Sequence, residues 1–375
     1  MSPSRVRAGR WGMYWLPRAL HPVAWWLWAL GLAVAASRTT NPLLLVALLV
    51  AVSSVVLARR SDAPWAAAFG MYLAFAGFVV AVRVLFRIIF GGGGGGVVLV
   101  PLPRFDLPGA SEGIHLLGDI TAESLLGGLY DGLRLAAMLV CLGAANCLAN
   151  PRRLLRSLPP ALHEVSTALV VAVSVFPQLA ESVLRVRAAR LLRPDPDRRR
   201  VARLRGILIP VLEDALERSL ALAASMDSRG YGRSGARSRR AGLTVGALMV
   251  VGLSGVCVGV YALLDTTTPR YLATPMLAGG VLLGLGGVGL SGRGVRRSVY
   301  RPDRWRLAEL LTVASGAGCA AVVALAAAAD PGGLHPSLYP LEWPTLPLLA
   351  LAGVLVGLLP AVLAPRPAPV EAGRR

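Results

Sequence analysis

Arginine is the residue type through which this sequence could do directed chemistry. All 39 basic residues are Arg and none is Lys, against 20 acids, for a formal net charge of +19. Two short runs stand out: Ser228-Arg229-Gly230 and Ala189-Arg190-Leu191. Each sets an Arg near the far end of a helix-forming stretch. A guanidinium is a planar fork that bonds carboxylates and carbonyls in pairs, so an Arg at a helix tip suits docking into a groove on a partner. Gly230 adds the residue that most readily ends a helix, by turning left-handed. The absence of Lys excludes a Walker A phosphate loop and Schiff-base chemistry.

Other reactive types are present but are not grouped. Cys141, Cys147, Cys257 and Cys319 each lie in apolar sequence, with no CxxC pair. His21, His115, His163 and His335 are scattered. Neither set has ligand or disulfide-framework spacing, so no metal site, no cofactor and no catalytic centre is expected. The six glycines at 91–96 lack the Lys and Ser/Thr of a phosphate loop and read as a flexible linker.

The elements that must carry these residues are membrane helices. The chain is 375 residues long and 55% hydrophobic, with a positive mean hydropathy, which is the composition of a polytopic membrane protein. A helix needs roughly 20 apolar residues to cross the hydrocarbon. The pattern predicts eight spans: 19–37, 42–58, 63–82, 121–148, 241–264, 271–290, 307–329 and 345–364. With the N-terminus inside, 33 of the 39 Arg face the cytoplasm, so the positive-inside rule puts both termini there. The N-terminal Arg cluster ahead of the first span reads as a retained signal anchor. Arg83 and Arg87, just past the third predicted span, are expected to snorkel to the outer headgroups.

Segment 165–180 is apolar but holds Pro177 and lies between Glu164 and Glu181. Crossing there would translocate the Arg-rich run that follows. It reads instead as a helix at the membrane face, apolar side toward the spans. The cytoplasmic insert 150–240 carries 18 Arg against eight acids, enough to touch anionic lipid; no nucleic-acid recognition module accompanies the charge. Its pattern predicts helix 161–192, a turn at Pro194-Asp195-Pro196-Asp197, and helix 198–228 with Pro210 as a candidate break. Leu212, Leu216, Leu220 and Ala223 form an apolar stripe on the second helix, opposite Glu213, Asp214, Glu217 and Arg218.

At these residues the sequence resembles the T component of energy-coupling factor (ECF) transporters, the transmembrane scaffold of cobalt- and vitamin-type importers. The resemblance covers about 20–240 and extends to the span at 241–264. It rests on His21-Pro22, Asn41-Pro42, Gly132-Leu133-Arg134-Leu135, Asn150-Pro151 with Leu154-Leu155 and Leu158-Pro159, Phe176-Pro177-Gln178-Leu179 before Glu181, and Met226-Asp227-Ser228-Arg229-Gly230-Tyr231-Gly232. It implies an all-α polytopic protein of about eight transmembrane helices with a cytoplasmic insert of amphipathic coupling helices. It also implies two Ala-Arg-Gly-like motifs at coupling-helix tips, whose Arg side chains dock on two ATP-binding-cassette (ABC) ATPases. Here Ser228-Arg229-Gly230 has Ser for Ala. Ala189-Arg190-Leu191 has Leu for Gly, which leaves Arg190 and Arg193 both open as the first docking Arg, Arg190 being favoured. The further implied partners are a small membrane substrate-binding S component and membrane lipid.

The expected organisation is therefore helices 1–4 in 1–149, the coupling region in 150–240, a fifth span in 241–264, and a C-terminal extension of three spans in 265–375. The extension lies beyond the resemblance and is expected to be dispensable for docking. A stand-alone secondary transporter is the competing class. It would need polar groups at mid-span; Asp131 and Arg134 qualify, and at i,i+3 they are expected to pair with each other.

Overall fold

In the computed structural model the described residues are 18–61, 64–90, 96–103, 105–106, 115–116, 118–157, 162–192, 200–230, 239–264, 270–292 and 303–367. The first span starts where sequence chemistry says it should. Pro22 and Pro42 occupy the first helical turns, where a missing N–H costs nothing, and the preceding side chains cap the helices. His21 Nδ1 accepts from Val23 N at 3.3 Å, and Asn41 Oδ1 accepts from Leu43 N at 3.0 Å. These open α1 (Pro22–Ser37) and α2 (Pro42–Arg59). After a 3-10 turn over Pro64–Ala68 comes α3 (Phe69–Phe90). Four short strands follow: β1 (Val98–Val100), β2 (Phe105–Asp106), β3 (His115–Leu116) and β4 (Ile120–Thr121). β1 pairs antiparallel with β4 and β2 with β3. The remaining helices are α4 (Ala122–Leu148), α5 (Pro151–Arg156), α6 (His163–Leu191), α7 (Arg200–Ser228), α8 (Arg239–Leu264), α9 (Arg270–Gly292), α10 (Leu307–Ala329), α11 (Pro331–Leu334), α12 (Leu348–Leu358) and α13 (Pro360–Leu363).

The protein is a polytopic all-α membrane protein. Among the described residues seven helices are long and apolar enough to cross a membrane: Pro42–Arg59, Ala66–Phe90, Ala122–Leu148, Val165–Arg190, Gly242–Leu264, Tyr271–Gly292 and Leu307–Ala329. Pro22–Ser37 and Leu348–Leu363 are shorter apolar helices. Each of the eight expected spans coincides with one of these nine. The ninth, Val165–Arg190, contains the segment 165–180 expected to lie at the membrane face; it is one continuous helix of 26 residues, long enough to cross. Neither Pro177 nor Pro210 breaks its helix. Of the six-glycine run, only Gly96 is among the described residues. Just after it Val97 N donates to Glu123 Oε1 at 3.0 Å and Oε2 at 3.1 Å.

The helices form two compact units, Met1–Leu154 with Asp303–Arg375, and Leu155–Pro302. In the first, α4 lies against α1, α2 and α3, while α10 lies against α1 and α12, and α12 against α2. The α1–α10 crossing is a backbone contact: a Cβ on Gly31 would sit 2.4 Å from Gly316 O. Small residues let membrane helices meet this closely, and the close packing then drives their association. Trp28, Leu32, Leu45, Val52, Val140 and Cys141 are fully buried around it. Trp28 Nε1 donates to Gly357 O at 3.0 Å.

Polar locks join the last spans to the first. Asn41 Nδ2 donates to Gly333 O at 2.8 Å and to Thr345 O at 2.6 Å. Arg18 forks onto Glu309 at 2.5 and 3.0 Å. Arg59 donates to Pro360 O, Ala361 O and Val362 O. The segment expected as a C-terminal extension thus supplies two helices of the same core as the first four spans.

One expectation about charges, the pairing of Asp131 with Arg134, is corrected. α3 runs on to Phe90, so Arg87 lies within the helix, where it pairs with Asp131 at 3.4 Å on α4. Arg134 does not take Asp131; it donates to Ser37 O. Ser37 ends α1, and the last carbonyls of a helix lack intrahelical donors, so a cation there finds an acceptor and a favourable dipole.

In the second unit α6 pairs with α7, and α8 with α9. The α8–α9 pair is another small-residue crossing, with Gly252 so placed that a Cβ would lie 2.6 Å from Gly284 N.

Candidate functional site

The two sequence-predicted docking motifs lie on α6 and α7. α7 is charged and apolar in alternating faces, and only one face meets α6. Ile207, Val211, Asp214 and Arg218 recur at helical spacing and are among the buried or half-buried positions of the helix middle. Ser182 on α6 is 2% exposed; its hydroxyl donates to Asp214 Oδ2 at 2.6 Å. Arg218 Nε donates to Asp214 Oδ1 at 3.0 Å, one turn along. The Ser182 hydroxyl, with Arg218 and Arg185 nearby, holds the Asp214 carboxyl below its ordinary range, so it stays charged at neutral pH.

Eight residues toward the tip the same two helices touch again. The Arg190 guanidinium lies across Gly206: a Cβ at 206 would be 1.6 Å from Arg190 Nη2 and 2.2 Å from Cζ. From Ser182–Asp214 to Arg190–Gly206 the register advances equally on both helices in opposite directions, as an antiparallel pair must. Arg190 is half-buried, whereas its neighbour Ala189 is exposed. Gly206 was not singled out from the sequence. A glycine within a helix is a cue for close approach, but nothing in one sequence says what approaches.

Arg229 is placed differently. α7 ends at Ser228, and Gly230 follows with φ +75°, the left-handed stop expected of it. Gly230 N donates to Asp227 O at 2.8 Å and Arg229 N to Met226 O at 3.2 Å. The Ser228 hydroxyl donates back to Ser225 O at 2.9 Å. Ser228, Arg229 and Gly230 are all exposed, so this Arg stands at an exposed helix tip. The two predicted motifs are not brought together, since one lies at the end of α6 and the other at the end of α7. Arg193 and the Pro194–Asp197 turn lie outside the described residues.

The apolar stripe of α7 is exposed. Leu212, Leu216 and Leu220 are 56%, 61% and 62% exposed. By helical spacing they lie on the side of α7 away from Asp214, the residue that bonds Ser182 of α6. The hairpin thus carries an exposed leucine row along α7 and an exposed Arg at its tip. Among the described residues no group of His, Cys, Asp and Glu is arranged to hold a metal ion.

The family model described as CbiQ, cobalt transport protein, matches residues 15–239, more than half of the chain. The match takes in α1 to α7 and stops where α8 begins. No curated protein matches the sequence.

Proposed function

The chain belongs to the CbiQ family of cobalt transport proteins, and on that premise we propose that it is the transmembrane scaffold of an ECF-type ABC importer. It joins two cytoplasmic ABC ATPases to a small membrane S component that binds the substrate. The substrate is a transition-metal ion or a vitamin, with the family's description favouring cobalt. The chain itself performs no chemistry. When the ATPases close on ATP and reopen after hydrolysis, α6 and α7 move with them. The exposed row Leu212, Leu216 and Leu220 passes that motion to the S component.

The observation that carries this reading is the exposed Ser228-Arg229-Gly230 tip at the end of an amphipathic helix tied to its neighbour. Arg229 is ready to enter a groove as it stands. Arg190 must first leave its place over Gly206. The arginine count on each side supports an orientation with both termini and the insert in the cytoplasm. A stand-alone transporter gains no support from Asp131 and Arg134, since each is engaged within the helix bundle.

The test is co-purification of the detergent-solubilised chain with its ATPase pair. Arg229→Glu inverts a charge where a desolvated pairing is expected, a loss on the order of 2–5 kcal/mol. Arg152→Glu, at an exposed residue of α5, should change little. Equal recovery of ATPases with Arg229→Glu and wild type would refute the docking assignment.

A further inference from the structure

α3 and α4 cross where two arginines of one helix meet two glycines of the other. Arg83 and Arg87 stand one turn apart on α3, and Gly128 and Gly132 one turn apart on α4. A Cβ on Gly128 would lie 2.8 Å from Arg87 Cγ, and one on Gly132 3.3 Å from Arg83 Cβ. Both arginine stems therefore lie on bare α4 backbone, and both residues are exposed. Their charges are only partly answered. Arg87 reaches Asp131 at 3.4 Å, and Arg83 has no ion pair among the described residues. Two cations against one acid leave this patch positive. Its level in the bundle is set by its neighbours. Arg134, two residues or about 3 Å along α4 from Gly132, donates to Ser37 O at the end of α1. There the chain turns into α2, and Asn41 ties that turn to Gly333 O and Thr345 O, between α10 and α12. Arg38 and Glu342 in these turns are exposed. Exposed irregular backbone does not face hydrocarbon, so the turns mark its edge. Arg83 and Arg87 stand at and just beyond that edge.

We infer that Arg83 and Arg87 hold the phosphodiester of one anionic phospholipid, with a phosphate oxygen on each guanidinium. Arg is the side chain whose planar fork suits phosphate best. A singly anionic head group matches the excess of one positive charge. An ethanolamine or choline head adds an ammonium, which that excess repels. The acyl chains have somewhere to lie. Phe75 and Phe78 are exposed, with ring centroids 6.0 Å apart in a stack. They come five to eight residues before Arg83, about 7–12 Å nearer the middle of the span. Free phosphate would find the two cations but gain nothing from that apolar face. The inference needs only that α3 spans a membrane, and stands apart from ATPase docking.

The full-length protein is placed in phosphatidylcholine nanodiscs doped with phosphatidylglycerol that carries a photoreactive diazirine on an acyl chain. After irradiation the labelled peptides are mapped by mass spectrometry. Wild type should be labelled on α3 around Phe75 and Phe78. Arg83→Gln should lower that label about tenfold, through loss of one hydrogen bond between charged groups. Arg87→Gln should lower it too, and serves alone if Arg83→Gln does not fold. Arg38→Gln removes the same charge from the neighbouring turn and should leave the label unchanged. Unlabelled phosphatidylglycerol should compete the label away, whereas phosphatidylethanolamine and inorganic phosphate should not. Label that survives both Arg83→Gln and Arg87→Gln overturns the proposal. So does an equal loss in Arg38→Gln, or competition by phosphatidylethanolamine or inorganic phosphate as strong as that by phosphatidylglycerol.

Discussion

The residues that hold this protein together make more than one bond each, and substitutions can separate the bonds. Asn41 is fully buried, caps α2 through Oδ1, and donates through Nδ2 to Gly333 O and Thr345 O. Asp caps a helix as well as Asn does but brings no donors. Asn41→Asp should therefore destabilise at least as much as Asn41→Ala, about 1–3 kcal/mol for each carbonyl left unmet, read as a lower melting temperature in detergent. A cap-only role predicts the opposite order. Arg190 gives a second case. A Cβ at Gly206 occupies the place of its guanidinium, and that group ends a flexible side chain. Gly206→Ala should gain about 0.5–1 kcal/mol of helix propensity and turn Arg190 out to solvent. Peptide-mapped modification with phenylglyoxal should then label Arg190 faster than in wild type; equal labelling would mean that Gly206 does not shelter it. Asp214 sets the pH behaviour of the same hairpin. Its pKa is lowered in the folded chain, so its contribution is fully present above the ordinary carboxylate range. It is lost as pH falls through the lowered value. In a carbon-detected NMR titration Ser182→Ala should raise the midpoint of Asp214, because the hydroxyl that favours the anion is gone.

At the scale of elements, α6 is the helix whose place is decided by charge more than by length. Val165–Arg190 has the length and hydropathy of a span. Crossing would carry the Arg-rich insert to the other side, against the positive-inside bias. A reporter active only in the cytoplasm should therefore be active when fused after residue 240 and at residue 375. Silence at 240 would mean that α6 crosses, and the docking tips would then face away from any cytoplasmic ATPase. α7 shows how a helix can serve two surfaces. Asp214 bonds Ser182 of α6 on one side, and the row Leu212, Leu216 and Leu220 is exposed on the other.

For the whole molecule, chain order and packing order differ. The spans α10 and α12 share a core with α1, α2 and α4, through Trp28, Asn41, Arg18 and Arg59. Truncation after Leu264 removes the acceptors of Trp28 and Asn41 and the partner of Arg18 together. The shortened protein should accumulate poorly in membranes and elute as aggregate on size exclusion in detergent. A monodisperse truncated protein that still binds ATPases would restore the expectation that the last spans are dispensable.

The sequence by itself determined what depends on neighbours along the chain. Apolar runs of span length, Asn and His ahead of Pro, and Gly after Arg229 fix where helices begin and end, because capping, propensity and hydrophobic length act within a few residues. The same locality made Ser228-Arg229-Gly230 legible as a tip. What sequence could not reach is which helix meets which. Asp131 and Arg134 are three residues apart, yet Asp131 goes to Arg87 and Arg134 to the end of α1. Gly206 matters only because Arg190 arrives over it from another helix. The apolar stripe on α7 is visible as a period, but a period does not say which apolar side is covered. Those choices follow from packing between segments distant in sequence, where backbone contacts such as Gly31 on Gly316 set the pairs that local pattern leaves open.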